Sequence, residues 1–392
     1  MRANTEKRPA HQENIMRLNV DQKYGMVLRR ARLAQLVEHP LDVGRVRGSS
    51  PLSRTSVTIL IPCFNEEKTV EQCILSCLAQ SILPQQILFV DDSSTDDTPA
   101  VLARYVGRIE VVRTPHNTGN KSHAQKYGLQ FVTGDIVVTT DADTILDTHL
   151  VEEFRKSFED PNVVAMCGKV TSLKYNWLTR IRAFEYGMSN HIHKLAQSYI
   201  DYMFVIPGAA GAFNTAIFRE KISFDHDTIT EDLDFTYKLH KQGLSIGYNR
   251  LAVVYTQDPA KLSSYINQMR RWYAGGWQNL LKHWDVIERP IRAFELSLIY
   301  VEGFIFSILL FLIPFINILF ALYLGACYVL MAFIFACFVA ARERRPDILL
   351  SPPLYLCISY INAYIFLEQF IKEVILRQKN MLWFKPERTQ LL

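Results

Sequence analysis

The first half of the chain is built from short apolar runs that end abruptly in polar or acidic clusters. Ser56 to Pro62 is β-branched and stops at a proline, followed by Cys63-Phe64-Asn65-Glu66-Glu67. Gln86 to Val90 runs into Asp91-Asp92-Ser93-Ser94, and Asp135 to Thr140 runs into Asp141-Ala142-Asp143. Unbroken apolar runs of this length predict strands buried on both faces, as in a parallel sheet. Helical patterns lie between them, the clearest from Thr69 to Ala79. Strands alternating with helices predict an α/β domain with a mostly parallel sheet and helices on both faces. Ligands of such sheets collect at the carboxyl ends of the strands. The three polar clusters are therefore expected to converge on one crevice.

Further along, Asn117-Thr118-Gly119-Asn120-Lys121 opens a helix, and a helix N-terminus attracts phosphate. Thr230-Glu231-Asp232 opens another, Asp232 to Gln242, with Thr230 placed as its N-cap. Lys261 to His283 is amphipathic and carries Tyr265, Met269, Trp272, Tyr273 and Trp277, the pattern of a helix lying in a membrane interface. Pro207 to Ala212 is a run of small residues that suits either a tight turn or close backbone approach to a ligand. His191 and His193 fall in a helical region and read as structural or surface residues.

The pattern then turns wholly apolar from Ile299 to Ala340, broken by Glu302, Pro314 and Asn317. About 20 residues make one bilayer crossing. Two spans are expected, Leu296 to Phe315 and Ile318 to Ala340, with a turn at Pro314 to Asn317. Arg342-Glu343-Arg344-Arg345 follows and by the positive-inside rule is cytoplasmic, which puts the α/β domain in the cytoplasm too. A third run, Leu354 to Leu367, is short and follows Pro352-Pro353. A third span would put the basic residues Lys372, Arg377, Lys379, Lys385 and Arg388 outside; an interfacial or re-entrant hairpin would not. Both readings stay open. The layout is an N-terminal extension (1–55), the α/β domain (56–257), interfacial helices (258–290), a transmembrane region (291–375) and a basic tail (376–392).

Composition changes this picture little. The 392 residues suit about two or three domains. A net charge of +4, without an Arg/Lys stripe interleaved with aromatics, gives no sign of a nucleic-acid partner. Of the seven cysteines, Cys73 and Cys77 share a helix face. No second Cys/His pair stands at zinc spacing, so core packing by reduced thiols is expected. The first 55 residues lack an apolar run long enough for a signal peptide or a span. Ala34-Gln35-Leu36-Val37-Glu38-His39 and Gly48-Ser49-Ser50-Pro51 read like the D-arm and T-arm of a transfer-RNA gene translated as protein. Translation is accordingly expected to begin near Val57, and residues 1 to about 54 to be dispensable. An ordinary basic tail is the alternative.

Val90-Asp91-Asp92, Asp141-Ala142-Asp143, Thr230-Glu231-Asp232 and Gln268-Met269-Arg270-Arg271-Trp272 stand in one order ahead of the membrane block. The set resembles glycosyltransferase family 2, the inverting membrane-bound enzymes of GT-A fold that include the synthases of cellulose, chitin, hyaluronan and poly-N-acetylglucosamine. The resemblance covers about Ser56 to Trp284. Pro62 to Glu67, Ile229 to Asp234 and Arg271-Trp272 followed by Gly275-Gly276 look most like poly-N-acetylglucosamine synthases.

The resemblance implies a nucleotide-sugar-binding domain and the following roles. Phe64, Glu66, Asp91 and Asp92 would hold the base and ribose of a UDP-sugar, and Lys121 and Arg271 its diphosphate. Asp141 and Asp143 would hold Mg2+ or Mn2+, hard cations that take oxygen ligands and share their site with substrate phosphate, Asp141 also serving the donor. Asp232 would be the base that takes the acceptor hydroxyl proton, unless it serves only the helix end. Glu231, Gln268 and Trp272 would meet the acceptor; a headgroup anchor is the alternative for the tryptophan, one that explains the aromatics but not the Gln-x-x-Arg-Trp spacing. The implied function is processive transfer of N-acetylglucosamine, or secondly glucose, to a growing β-linked polysaccharide. Transfer of one sugar to a lipid carrier is the alternative, and an inactive membrane scaffold a third. Membrane lipids, and an accessory membrane subunit or a second copy of the chain, are the expected partners.

Overall fold

The computed structural model describes residues 55–221, 227–285, 297–379 and 381. The N-terminal segment and most of the basic tail lie outside the described residues. Among the described residues, eight strands form one sheet in the order β3-β2-β1-β4-β7-β6-β8-β5. The strands are β1 (Val57–Cys63), β2 (Gln86–Asp91), β3 (Glu110–Arg113), β4 (Ile136–Thr139), β5 (Thr144–Leu146), β6 (Ala165–Ser172), β7 (Gly211–Asn214) and β8 (Ile246–Thr256). The first four pair in parallel, and β6 pairs parallel to β8. Strands β7 and β5 run antiparallel to their neighbours, which the apolar pattern alone does not separate out.

Every residue of β1, β2 and β4 is buried, as unbroken apolar runs require. Helices cover both faces. Helices α1 (Val70–Leu78), α2 (Thr98–Ala103) and α4 (Leu150–Ser157) pack on one face through Ile74, Leu102 and Phe154. Helices α3 (Lys121–Leu129), α7 (Thr215–Lys221) and α8 (Glu231–Lys241) pack on the other through Ala124, Phe218 and Leu239. Cys73 and Cys77 are fully buried in the first of these layers, as small apolar side chains. A Cβ on Gly128 would lie 2.4 Å from Val90 and 2.7 Å from Leu60, so only glycine lets α3 sit this close to the sheet.

Strand β1 connects to β2 on one side and has β4 on the other. The order reverses there, and the chain leaves a crevice beyond the ends of β1 and β4. On the far side of the sheet come α5 (Trp177–Met188), a π-turn at Ser189–His193 and α6 (Lys194–Tyr199). Helix α9 (Leu262–Lys282) is the amphipathic helix expected over Lys261 to His283.

Helices α10 (Glu302–Ile316) and α11 (Ile318–Glu343) form an apolar pair joined at Asn317. Phe315, Ile316, Leu319, Leu322 and Tyr323 are exposed on it, the inside-out surface that a lipid environment requires. Helix α12 (Pro352–Phe370) continues as a π-turn to Ile375. It is longer than the short run expected from sequence, and three described helices are long and apolar enough to cross a membrane. Glu368 and Glu373 mask the added length in the sequence, and their side chains, with that of Asn362, bond to α9. Glu343, inside the basic cluster, is held by Lys169 at 2.8 Å and His191 at 2.6 Å, so that the end of α11 is clamped to β6 and the π-turn.

Candidate active site

The crevice floor starts with the loops after β1 and β2. Asn65 and Ser93 take left-handed backbone conformations (φ 54° and 56°) and lock these loops together. Asn65 accepts from the Thr95 amide at 2.8 Å, and its own amide donates to Ser94 Oγ at 3.0 Å. Glu66 is buried, and its carboxylate accepts from Thr69 Oγ1 at 2.8 Å. Asp91 pairs with Arg113 at 3.1 Å and accepts from the Ser94 amide at 2.9 Å. Asp92 accepts from Thr114 Oγ1 and Thr118 Oγ1, each at 2.9 Å, and from the Thr118 amide at 3.0 Å. Its carboxylate staples the loop that leads into α3. Phe64, in the loop after β1, is half-buried.

That loop ends in a capped helix. Asn120 is the N-cap of α3, its side chain accepting from the Ser122 amide at 3.0 Å, which makes Lys121 the first helical residue. From there the Lys121 ammonium pairs with Asp141 and comes 3.6 Å from Glu231. Burial lowers the Lys121 pKa, but the carboxylates of Asp141 and Glu231 outweigh it and raise the pKa above its ordinary value. The lysine is cationic at every working pH. Asp143 is buried beside Asp141 at the end of β4 and accepts from Thr144 Oγ1 at 3.3 Å. Among the described residues no three His, Cys, Asp or Glu side chains gather as a metal cage. The two carboxylates are a hard oxygen pair that fits a divalent cation whose remaining ligands come from phosphate and water.

Glu231 and Asp232 open α8 opposite this pair. Asp232 accepts from the Leu233 amide at 2.9 Å and from the Gly208 amide at 3.4 Å. Burial and the neighbouring Glu231 charge push its pKa up to about 6, against the pull of Lys121. A carboxylate near neutrality is suited to taking a proton. The structure thus brings Lys121, Asp141, Glu231 and Asp232 together, with Gly208 from the small-residue run forming the wall between them.

The expected N-cap at Thr230 is not made, and this corrects the sequence reading. Thr230 occupies the cap position, but its side chain accepts from no amide of α8. Its hydroxyl turns instead to α9 and accepts from Asn279 Nδ2 at 3.0 Å. Gly275 faces it so closely that a Cβ would lie 2.2 Å from Thr230 Oγ1. Gln278 Oε1 accepts from the Ile229 amide at 2.9 Å, and His283 meets Asp234 at 2.7 Å. Helix α9 is bolted along the whole segment that carries Asp232. Sequence reasoning missed Asn279, Gln278 and His283; polar residues on the buried face of an amphipathic helix were the available signal.

Trp272, on the other face of α9, lies over Arg182 of α5, its ring centroid 4.8 Å from the guanidinium carbon. Arg182 is buried and held by Glu185, by Asp258 at 3.3 Å and by Tyr186 at 3.2 Å. The indole is one-third exposed, so one face is covered and part of the ring remains free. Arg271 is half-buried next to it, and Gln268 Oε1 is buried without a hydrogen-bond partner among the described residues.

An acid pair at the switch point of the α/β sheet is faced by a lysine and by a carboxylate tuned toward neutrality, in a domain of GT-A-like fold joined to apolar helices. The model of the family "Glycosyl transferase family 2" matches residues 58–219. Over 233 residues the chain is 29% identical to the poly-beta-1,6-N-acetyl-D-glucosamine synthase of Staphylococcus aureus (strain COL), covering 58% of this chain and 56% of that one. Over 232 residues it is 30% identical to an N-acetylglucosaminyltransferase of Azorhizobium caulinodans, covering 55% and 58%. The likeness thus spans little more than half the length of these relatives. A mannosyltransferase from Pyrobaculum calidifontis, solved in complex with GDP-Man and Mn2+, superposes with a TM-score of 0.58 over 92% of this chain and 98% of that one. At 20% identity that match speaks for the fold alone.

Proposed function

We propose that the protein is an inverting glycosyltransferase acting at the cytoplasmic face of a membrane. It moves a sugar, N-acetylglucosamine first and glucose second, from a UDP donor to a growing β-linked polysaccharide. The observation that carries this reading is the gathering of Lys121, Asp141, Glu231 and Asp232 around one crevice, with Asp232 pushed up to about 6.

In this reading Asp232 takes the proton of the acceptor hydroxyl as that oxygen attacks the anomeric carbon from the face opposite the diphosphate. The bond from anomeric carbon to diphosphate oxygen breaks, and UDP leaves with the electron pair. Lys121 follows the developing negative charge by exchanging Asp141 for phosphate oxygen. Arg271 adds a planar fork on the same diphosphate. Magnesium or manganese held by Asp141 and Asp143 would neutralise further charge on the leaving group when bound. Asp91, Asp92, Glu66 and Phe64 form the base and ribose end, Asp92 chiefly by fixing the loop that presents Lys121. Glu231, Gln268 and Trp272 line the acceptor path, with the indole as an apolar platform for a sugar ring. The apolar helices, together with membrane lipid and an accessory subunit or a second copy, guide the product outward.

The test is product sizing. Full-length protein in lipid is supplied with radiolabelled UDP-N-acetylglucosamine or UDP-glucose. A long polymer is expected. A lipid bearing one sugar would replace this reading with single transfer, and no product from either donor, with UDP-sugar left intact, would leave an inactive scaffold.

A further inference from the structure

Helix α12 and its π-turn run 24 residues, about 36 Å of helix, which would cross a bilayer core of about 30 Å. The contacts at its two ends do not suit a crossing. Just ahead of it, Arg345 Nη1 donates to the Ser172 carbonyl of β6 at 2.9 Å, and Ile348 is buried with Phe184 of α5. The Tyr355 ring meets Phe184 at 5.1 Å. At the other end Glu373 accepts from Gln278 Nε2 of α9 at 3.1 Å. Beyond it, Lys379 donates to the Asp227 carbonyl, in the segment leading into α8, at 3.3 Å. Both ends rest on the α/β domain, which stands on one side of a membrane. Between them α12 lies against α9. Tyr265 reaches Asn362, Arg270 reaches Glu368 and Gln278 reaches Glu373, over separations of 97, 98 and 95 residues. So even an offset means two helices side by side in the same direction. Helix α9 is in turn held to the domain at Tyr265, over Arg182, and at Asn279, against Thr230.

We infer that α12 does not cross the bilayer but lies in its interface beside α9, with Leu354, Cys357, Tyr364, Ile371 and Ile375 turned to lipid. The chain then crosses twice, through α10 and α11, and its basic tail returns to the side of the α/β domain. Those five residues are exposed and recur at helical spacing, so they form one apolar stripe. Helix α12 also packs on the hairpin, Tyr360 on Phe311 and Ser359 on Tyr328, so stripe and hairpin meet the same lipid. Within its most apolar stretch α12 is 33% buried inside the protein, against 11% and 6% for the two spans. An amphipathic helix of this kind sets its apolar face at the boundary of headgroups and acyl chains. Lys372, Arg377 and Lys379 follow the stripe and suit anionic headgroups. They stay on the side of Arg342, Arg344 and Arg345, as the charge rule asks. The inference needs α10 and α11 to meet a membrane; it does not need the transferase chemistry.

The experiment uses the full chain with the two exposed thiols, Cys337 and Cys357, changed to alanine. Single thiols are added as Glu159→Cys on the α/β domain, Ile316→Cys at the exposed tip of the hairpin and Leu391→Cys in the tail. A membrane-impermeant maleimide, applied to intact cells and to cells opened with detergent, reports the side of each. Residues 159 and 391 are expected on one side and 316 on the other. Residue 391 on the side of 316 overturns the inference, and 159 on the side of 316 overturns the two crossings; neither touches the transferase reading. Nitroxides at Leu354→Cys, Tyr364→Cys and Ile371→Cys report depth by collision with oxygen and with a water-soluble nickel chelate. An interfacial helix places all three within about 5 Å of one depth. A spread approaching the roughly 25 Å that 17 residues of crossing helix would give overturns the inference.

Discussion

Gly275→Ala probes how far the base depends on helix α9. The added methyl would lie 2.2, 2.4 and 2.8 Å from the Oγ1, Cγ2 and Cβ of Thr230, where ordinary contacts begin near 3.4 Å. Relief needs a displacement of roughly 1 Å, in the range of small overpacking that costs about 1–3 kcal/mol in stability. Helix α9 resists moving, because Tyr265, Arg270 and Gln278 tie it to α12. The shift therefore falls on Thr230 and the start of α8, and carries Asp232 with it. A misplacement of about 1 Å near a reacting centre is worth on the order of 100-fold in rate. The expected result is a fall of that size in kcat/KM with UDP affinity within about twofold of wild type, since the reach of Lys121 is set by α3. Adding Thr230→Ala removes two of the three crowded atoms and should recover at least tenfold (about 1.4 kcal/mol). The assay is transfer from labelled donor, with calorimetric UDP binding and a thermal melt on the same preparations. Wild-type rate in Gly275→Ala, or UDP affinity collapsing along with the rate, would refute the reasoning.

In the proposed base role Asp232 works only as the carboxylate, so with its pKa pushed up to about 6 the rate should halve at about that pH and drop about tenfold per unit below; Asp232→Asn should keep UDP binding and lose transfer, and an acid limb near pH 4 would remove Asp232 from the base role. Asp141→Ala and Asp143→Ala should abolish transfer without unfolding, and EDTA should do the same to wild type; full activity in EDTA would end the metal assignment. Trp272→Ala should shorten product about tenfold in length while slow donor hydrolysis continues, whereas Arg271→Ala should depress both; polymer of normal length from Trp272→Ala would make the indole a lipid anchor.

Much of the crevice is legible in the amino-acid pattern itself. Strands β1, β2 and β4 are mostly apolar because both faces are covered, and the acids at their carboxyl ends, Asp91, Asp92 and Asp143, are themselves buried at the crevice floor. Periodicity also places α8 and α9 within a residue of their starts. What escapes it depends on partners distant in sequence. Thr230 has cap chemistry, yet Asn279, 49 residues on, takes its hydroxyl. Strands β5 and β7 have three and four residues, too short to show a period. Nothing in the pattern around Arg182 marks it as buried, but Asp258 and Glu185 make its burial tolerable and place it under Trp272. Helix α12 reads as short because its polar side chains answer α9 instead of lipid.

The bolting of α9 has a consequence for where the chemistry ends and the membrane begins. This helix holds the peptide that bears Asp232 through Asn279 and Gln278, and holds α12 and the π-turn after it through Arg270, Gln278 again and the packing of Trp277 on Phe366 and Phe370. Tilting α12, as a thinner bilayer or altered lateral pressure would, turns the same rigid rod that sets the attack angle. On the proposed transferase reading, bilayer thickness thereby becomes a mechanical input to the reaction, and a domain cut free ahead of α12 would lose the helix that braces α9 from behind.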